Sequence, residues 1–186
     1  MNIRPLIVAI VVAALLPGLF LLSAPAATSQ PAPSPAPPPA WPVGFRVEMA
    51  ITVAKTRWQP PMAVWIEDAD GKYVTTLAVW SKKQNMKHLK TWWSLTGGDA
   101  KPFALVTSAT RKAGVHNLVW NGLDKDKKPV PAGTYVVRIE NTFEGKKNYN
   151  LKGSIVCSDQ PATGTVEIQK DSKIDSVDVR YGPATK

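Results

Sequence analysis

The sequence has few of the residues on which catalytic sites most often depend. It contains one cysteine, Cys157, and two histidines, His88 and His116. A single cysteine excludes an intramolecular disulfide, so we expect Cys157 to be buried as a small apolar side chain. Neither histidine has a partner at metal-ligand spacing, and no serine stands in a Gly-x-Ser-x-Gly setting. We therefore predict no catalytic residues and a protein that is not an enzyme.

The chain has an excess of positive charge. It holds 23 Lys and Arg against 14 Asp and Glu, a formal net charge of +9. The lysines are scattered through expected turns and do not form one basic face, so we expect no nucleic-acid partner and no DNA binding. Attraction to anionic envelope polymers or lipid headgroups stays open.

The N-terminal 27 residues have the pattern of a secretory signal peptide. Arg4 is followed by an apolar run from Leu6 to Leu22 and by small residues at Ala24 and Ala26. This pattern predicts export to the periplasm or beyond, with cleavage after the small residues. The alternative is an uncleaved membrane anchor, because the apolar run is close to spanning length.

Composition divides the remainder of the chain. Residues 28–42 are rich in proline and alanine, which favours an extended, disordered tether. Residues 43–182 have the length of one domain, and residues 183–186 are expected to be a disordered tail.

Short segments with a two-residue apolar period follow one another through residues 45–181. Phe45–Ala54 alternates between apolar and polar residues, and Asp70-Gly71 joins two apolar segments, Met62–Glu67 and Tyr73–Trp80, as a hairpin does. A further strand is expected at Thr165–Lys170. Eight or nine such strands predict an all-β, immunoglobulin/fibronectin-like antiparallel β-sandwich.

One segment has a helical period. Apolar residues recur at three- and four-residue spacing between Gln84 and Leu95, where Met86, Leu89, Trp92 and Trp93 fall on related faces. This predicts one short helix of at most three turns, and we expect it to cover an open end of the sandwich.

The segment Trp120–Tyr135 contains Asn-Gly, two Asp, two Pro and a second Gly between two apolar runs. These residues predict a hairpin. With Trp120-Asn-Gly-x-Asp followed by Val130-Pro-Ala-Gly-Thr-Tyr135, the segment resembles the hairpin of the immunoglobulin-like domain of flagellar hook-capping proteins. That resemblance implies a β-sandwich and says nothing of chemistry.

A longer resemblance covers most of residues 45–181. It rests on the segments Pro61–Asp68 and Thr76–Trp80, on Trp92-Trp93, on Ala109-Thr110-Arg111 and on the Trp120 segment. In this order they resemble the uncharacterised bacterial periplasmic family known as domain of unknown function 2271. The resemblance implies a periplasmic location and an envelope or membrane protein partner, since such proteins are found beside membrane PepSY proteins and flavin transferases in iron-uptake or electron-transfer systems.

Thr107-Ser108-Ala109-Thr110 resembles the Ser/Thr-Gly-Ala-Thr motif at which flavin transferases attach FMN. The resemblance implies Thr110 as the acceptor, with Trp92 and Trp93 available to stack on the flavin ring. Two departures count against it, because Ser108 replaces the motif's Gly and no Asp stands just upstream. Core packing is the alternative for both tryptophans, and an ordinary surface loop is the alternative for Thr110.

Two further groups of residues have the chemistry of a binding site. Asp124 and Asp126 are weak candidates for calcium ligands, although Asp in a turn often serves the turn alone, and we assign no metal. Arg57 and Trp58 precede two prolines, so Trp58 is expected to be partly exposed. Arg57 and Trp58 therefore form a candidate binding surface, with a staple between turn and sheet as the alternative.

These observations favour an exported, non-catalytic binding or accessory module of the bacterial cell envelope. The first alternative is an accessory of an extracytosolic electron-transfer or iron-uptake system that carries FMN on Thr110. The second is a carbohydrate-binding protein with a glycan partner. A hydrolytic version would need paired carboxylates beside Trp58.

Overall fold

The computed structural model describes residues 37–99, 103, 106–143 and 147–184. The predicted signal peptide, residues 1–27, and most of the predicted tether lie outside these ranges. Nine strands are described: β1 Phe45–Val53, β2 Met62–Asp68, β3 Tyr73–Trp80, β4 Thr107–Ser108, β5 Gly114–Trp120, β6 Gly133–Phe143, β7 Lys147–Cys157, β8 Ala162–Thr165 and β9 Ile174–Pro183. A 3₁₀-helix, Lys83–His88, and an α-helix, α1 Lys90–Leu95, stand between β3 and β4.

The strands form two sheets. One has the order β5-β1-β9-β8 and the other the order β4-β3-β2-β6-β7. All pairings are antiparallel except that of β3 with the two-residue β4, which is parallel. The predicted all-β sandwich with a short helix is therefore confirmed, and the parallel pairing of β4 is the one exception to the expected antiparallel order in the described residues.

The core lies between the two sheets because each sheet turns one apolar face inward. In β1 the alternating residues Val47, Met49, Ile51 and Val53 are buried. They pack with inward-facing residues of the second sheet, among them Val64 and Ile139. Cys157 is also buried in this core, as expected, and burial raises the pKa of its thiol to about 12.

The segment 120–135 connects the two sheets, so its prediction as a simple hairpin is wrong. β5 pairs with β1, whereas β6 pairs with β2 and β7. The turn residues reverse the chain only within the connection, where Leu123 forms an isolated antiparallel bridge with Pro129. The rings of Trp120 and Tyr135, 4.8 Å apart, pack between the sheets at the two ends of the connection. Burial of both rings between the sheets favours a connection that crosses from one sheet to the other, and disfavours direct pairing of β5 with β6.

The helical segment covers a sheet face and not an open end of the sandwich, which corrects the prediction. Met86, Leu89 and Trp92 are buried, as the helical period predicts, and they pack on Ala63, Trp65 and Val79. These three residues point out of the sandwich from β2 and β3. Because β2 is apolar on both faces, its outer face needs a cover, and the two short helices supply it.

The single predicted helix is divided at Leu89, whose φ of −82° and ψ of 73° are not helical. The backbone carbonyl of His88 accepts a hydrogen bond from Asn148 Nδ2 at 2.6 Å, and the first amides of α1 donate to Glu140. Side chains of β6 and β7 thus hold the break on both sides.

The folded domain begins earlier than residue 43. Trp41 packs edge-on against the rings of Trp120 and Tyr181, at 4.9 and 5.4 Å, and its indole N–H donates to the Phe45 carbonyl at 3.0 Å. Ala40 bridges Pro131. The C-terminal end of the predicted tether is therefore part of the domain. The cause is the apolar Trp41, which packs on the aromatic rings of the domain.

The strand predicted at Thr165–Lys170 lies at Ala162–Thr165 instead. β8 pairs with β9, and Gly164 comes so close to β7 that an added Cβ would lie 2.6 Å from the Ser154 carbonyl oxygen. The missing side chain of Gly164 allows this close approach of two strands.

Candidate functional site

The clearest candidate site is a cleft at one end of the five-stranded sheet. It has a volume of about 600 Å³ and lies where β2 begins and where β3 and β6 end. The described residues that line it are Arg57, Trp58, Gln59, Pro60, Pro61, Lys82, Gln84, Asn85, His88, Thr110, Thr142 and Phe143. We call it the Arg57–Trp58 cleft.

Sheet pairing brings these separate segments together. Met62, at the start of β2, pairs with Trp80 on one side and with Asn141 on the other. The loop before Met62, the residues after Trp80 and the residues after Asn141 therefore meet at the same end of the sheet. Two predicted candidates from distant parts of the sequence, the Arg57–Trp58 pair and Thr110, thereby line one cleft.

Trp58 presents a flat aromatic surface in the cleft. Its side chain is 65% exposed, as the preceding polar residues and following prolines predict. The Arg57 guanidinium lies 5.7 Å from the ring centroid, within the range of a cation–π contact. Thr56 Oγ1 donates to the Trp58 carbonyl at 2.8 Å and fixes the turn. So large an exposed fraction argues against Trp58 acting as a staple.

The charges of the cleft have one sign. Arg57 and Lys82 are cationic, His88 supplies an imidazole, and the described lining contains no Asp or Glu. Within the described part of the chain, neither Arg57 nor Lys82 forms an ion pair with a carboxylate. The described lining therefore has a positive potential, which favours an anion.

Two residues that line the cleft each hold a buried polar atom without a hydrogen-bond partner: Thr142 Oγ1 and Gln59 Oε1. Thr142 is fully buried, and its backbone N–H donates to the Pro61 carbonyl at 3.2 Å. The amide nitrogen of Gln59 donates to the Thr56 carbonyl at 3.3 Å, which leaves its oxygen free to accept. Unpartnered buried polar atoms are uncommon in folded proteins, and each is a group that a water, an ion or a ligand can satisfy.

Thr110 lies just beyond the short strand β4 and is half-buried at the cleft. β4 is held by pairing of Ser108 with Trp80 and by a hydrogen bond of 2.8 Å from the Ser81 N–H to the Ser108 carbonyl. The position of Thr110 is therefore fixed by the sheet, in the same cleft lining as Arg57, Lys82 and Trp58.

Trp92 and Trp93 do not line the cleft. Trp92 is fully buried, and its indole N–H donates to Thr76 Oγ1 at 2.9 Å. Trp93 is half-buried, 6.2 Å from Trp92 between ring centroids. Trp92 belongs to the cluster between helix and sheet, so its ring is unavailable to a ligand, which corrects its placement in a binding surface.

Asp124 and Asp126, the calcium candidates, bind groups of their own turn. Asp124 Oδ1 accepts the backbone N–H groups of Asp126 and Lys128 at 2.8 and 2.9 Å, and Asp126 pairs with Lys125 at 2.8 Å. Asp68 binds the backbone of its own loop in the same way. In the ranges that the structure describes, no three or more His, Cys, Asp or Glu residues group as a metal site would require.

Sequence reasoning missed Lys82, His88, Gln59, Thr142 and Phe143 as lining residues. None belongs to a motif, and their meeting depends on β2 pairing with both β3 and β6. His116, the second histidine, lies elsewhere and packs 5.3 Å from the Trp80 ring.

Comparison with known proteins gives one match. A family model described as Predicted periplasmic protein (DUF2271) matches residues 44–176. No curated protein matches the chain, and no solved structure matches it. The resemblance to the hook-capping domain is not supported by these comparisons. No helix within the described residues is long and apolar enough to cross a membrane.

Proposed function

The chain belongs to the family of predicted periplasmic proteins named DUF2271, and from this premise we propose that it is an exported, non-catalytic binding module of the cell envelope. Its ligand binds in the Arg57–Trp58 cleft. The observation that carries this proposal is the convergence of an exposed Trp58, two cations and two unpartnered buried polar atoms in one cleft. Such a combination of aromatic surface and polar groups is typical of ligand sites.

A lack of catalytic chemistry in the cleft favours binding over turnover. General acid–base catalysis needs groups that give and take protons, and the described lining supplies His88 and Lys82 without a carboxylate to pair with either. Paired carboxylates beside Trp58, which a glycoside hydrolase would need, are not among the described lining residues. Glycan binding without hydrolysis is still compatible with Trp58, since exposed aromatic rings stack on sugars.

The alternative function, an electron-transfer accessory, is supported by the position of Thr110. A flavin transferase would move FMN from FAD to Thr110 Oγ1 with AMP as the leaving group. Arg57, Lys82 and His88 are the lining residues that would hold the phosphate, and Trp58 is the one that would contact the ring. FMN would supply one- and two-electron transfer. The chain's own residues would hold the phosphate and cover one ring face.

Intact mass under denaturing conditions, with an absorbance scan of the same sample, decides between these functions. The protein is purified from the envelope of its native host. For a binding module we expect a mass that matches cleavage after Ala26 or Ala27, without a covalent adduct. A yellow sample with a flavin-sized adduct mapping to Thr110, absent from Thr110→Ala, would replace the binding-module proposal with the electron-transfer function.

A further inference from the structure

We infer that the ligand of the Arg57–Trp58 cleft is a small molecule with a phosphate or carboxylate group attached to a ring that carries hydroxyl or N–H donors. This inference rests on the proposed binding function and specifies the chemistry of the ligand. It is carried by three independent features of the cleft: its charge, its unpartnered polar atoms and its aromatic surface.

The charge of the cleft selects an anion. Arg57, on the loop before β2, and Lys82, just after the end of β3, both line the cleft. Neither is neutralised by a carboxylate in the described part of the chain. A guanidinium and an ammonium that face one cleft are the groups that bind phosphate and carboxylate oxygens most strongly, through charge-assisted hydrogen bonds.

The unpartnered polar atoms specify the ligand further. The Thr142 hydroxyl can donate to an anion oxygen or accept from a ligand donor, whereas Gln59 Oε1 can only accept. Gln59 therefore calls for a hydroxyl or N–H on the ligand, in addition to the anionic group. A buried polar atom left without a partner is unfavourable, so a ligand group that satisfies it stabilises the complex.

The aromatic surface calls for a ring. Trp58 is largely exposed and is held by its turn, and Phe143, Pro60 and Pro61 extend the apolar part of the cleft beside it. A free phosphate ion would leave this surface uncovered. A ring stacked on Trp58, with its anionic group toward Arg57 and Lys82, contacts both parts of the cleft.

Pairs of probes that differ in the anionic group test the inference. Isothermal titration calorimetry of the full chain would compare FMN with riboflavin, glucose 6-phosphate with glucose, and glucuronate with glucose. The cleft variant is Arg57→Gln/Lys82→Gln. The matched control is Lys152→Gln/Arg180→Gln, which removes the same charge from exposed residues that do not line the cleft.

We expect the anionic member of at least one pair to bind about tenfold or more tightly than its neutral partner. The advantage falls to about threefold or less in the cleft variant, persists in the control and weakens with added salt. The pair that shows it distinguishes a phosphate from a carboxylate and a flavin from a sugar.

Three results would overturn the inference. One is equal binding of the charged and neutral probes of every pair. If that binding is lost in Trp58→Ala, the cleft still binds a ligand, but the ligand needs no anionic group. Another is an anion advantage that is unchanged in the cleft variant, which would place the site elsewhere. The third is no measurable binding of any probe, which refutes this ligand chemistry. The mass measurements would then decide whether the protein binds a ligand of another chemistry.

Discussion

Glu140 Oε2 accepts the backbone N–H of Trp92 at 2.9 Å, although the two residues lie 48 positions apart. Glu140 Oε1 accepts the Thr91 N–H at 3.1 Å and Asn148 Nδ2 at 2.7 Å. The carboxylate is fully buried, and its described partners are neutral donors. Free amides at the start of α1 thus stabilise a buried negative charge, and Glu140 fixes the position of the helix on the sheet.

Replacement of Glu140 by Gln tests this link. Gln keeps the size of the side chain but brings an NH₂ group against donors that need an acceptor. We expect the free energy of unfolding to fall by about 1–3 kcal/mol, measured by denaturant titration. The exposed Glu167→Gln is the matched control and should change stability by less than about 0.5 kcal/mol. Equal effects of the two substitutions would show that Glu140 does not hold the helix.

The second prediction concerns Gly122, which lies under the Trp41 ring. A Cβ at Gly122 would come within 2.3 Å of that ring, and the φ of Gly122 is +71°. Gly71 has a similar φ of +79° with nothing within 4 Å of an added Cβ. Gly71→Ala should therefore cost about 1–2 kcal/mol through backbone strain alone.

Gly122→Ala carries the same strain and also displaces Trp41, so we expect a larger loss of stability and increased solvent exposure of Trp41 by fluorescence. A Gly122→Ala variant as stable as Gly71→Ala would contradict the docking of residues 39–42 on the domain.

The third prediction concerns Lys127, which has a φ of +63° in a loop built like that of Asp68. In both loops one Asp oxygen accepts two backbone N–H groups, and Lys127 occupies the position that Gly71 has in the other. Lys127→Gly should therefore stabilise the protein by about 0.5–1 kcal/mol, because Gly adopts this φ without strain. Lys128→Gly, at a position without positive φ, should bring no gain in the same unfolding experiment.

The fourth prediction concerns pH. Burial raises the pKa of the Cys157 thiol to about 12, so the folded state keeps a neutral thiol at a pH where the unfolded chain has a thiolate. The resulting stability is fully present below about pH 8.5 and falls as pH rises toward 12. Denaturant unfolding should show a smaller alkaline loss for Cys157→Ala than for the wild type.

Some alkaline loss should persist in Cys157→Ala, since burial also raises the pKa of Tyr135 and Tyr181 to about 12. Identical pH dependence of wild type and variant would show that Cys157 is not buried as described.

Local patterns predicted most of the strands and the exposure of Trp58, because both depend on neighbouring residues. The alternation in β1 correctly indicated one buried face, whereas the continuous apolar run in β2 is buried on both faces. What failed depends on distant contacts. Turn residues at 120–135 do not say whether the flanking strands pair, and the break at Leu89 is made by Glu140 and Asn148, about 50 and 60 residues further along.

The same distinction holds for the cleft. Local patterns indicate the Arg57–Trp58 pair and Thr110 as separate candidates, and only the pairing of β3 with β2 and with β4 shows that they line one cleft. Lys82 and Thr142 have no local signal, since a lone lysine after a strand and a threonine within one are ordinary in any sequence.

Native mass spectrometry of the protein from the envelope of its native host tests the binding-module proposal most directly. The excess of the native over the denatured mass gives the non-covalent ligand. We predict an excess in the wild type and in Arg180→Gln, and its loss in Arg57→Gln/Trp58→Ala. No excess in the wild type, or an excess that persists in the cleft variant, would contradict ligand binding in the Arg57–Trp58 cleft.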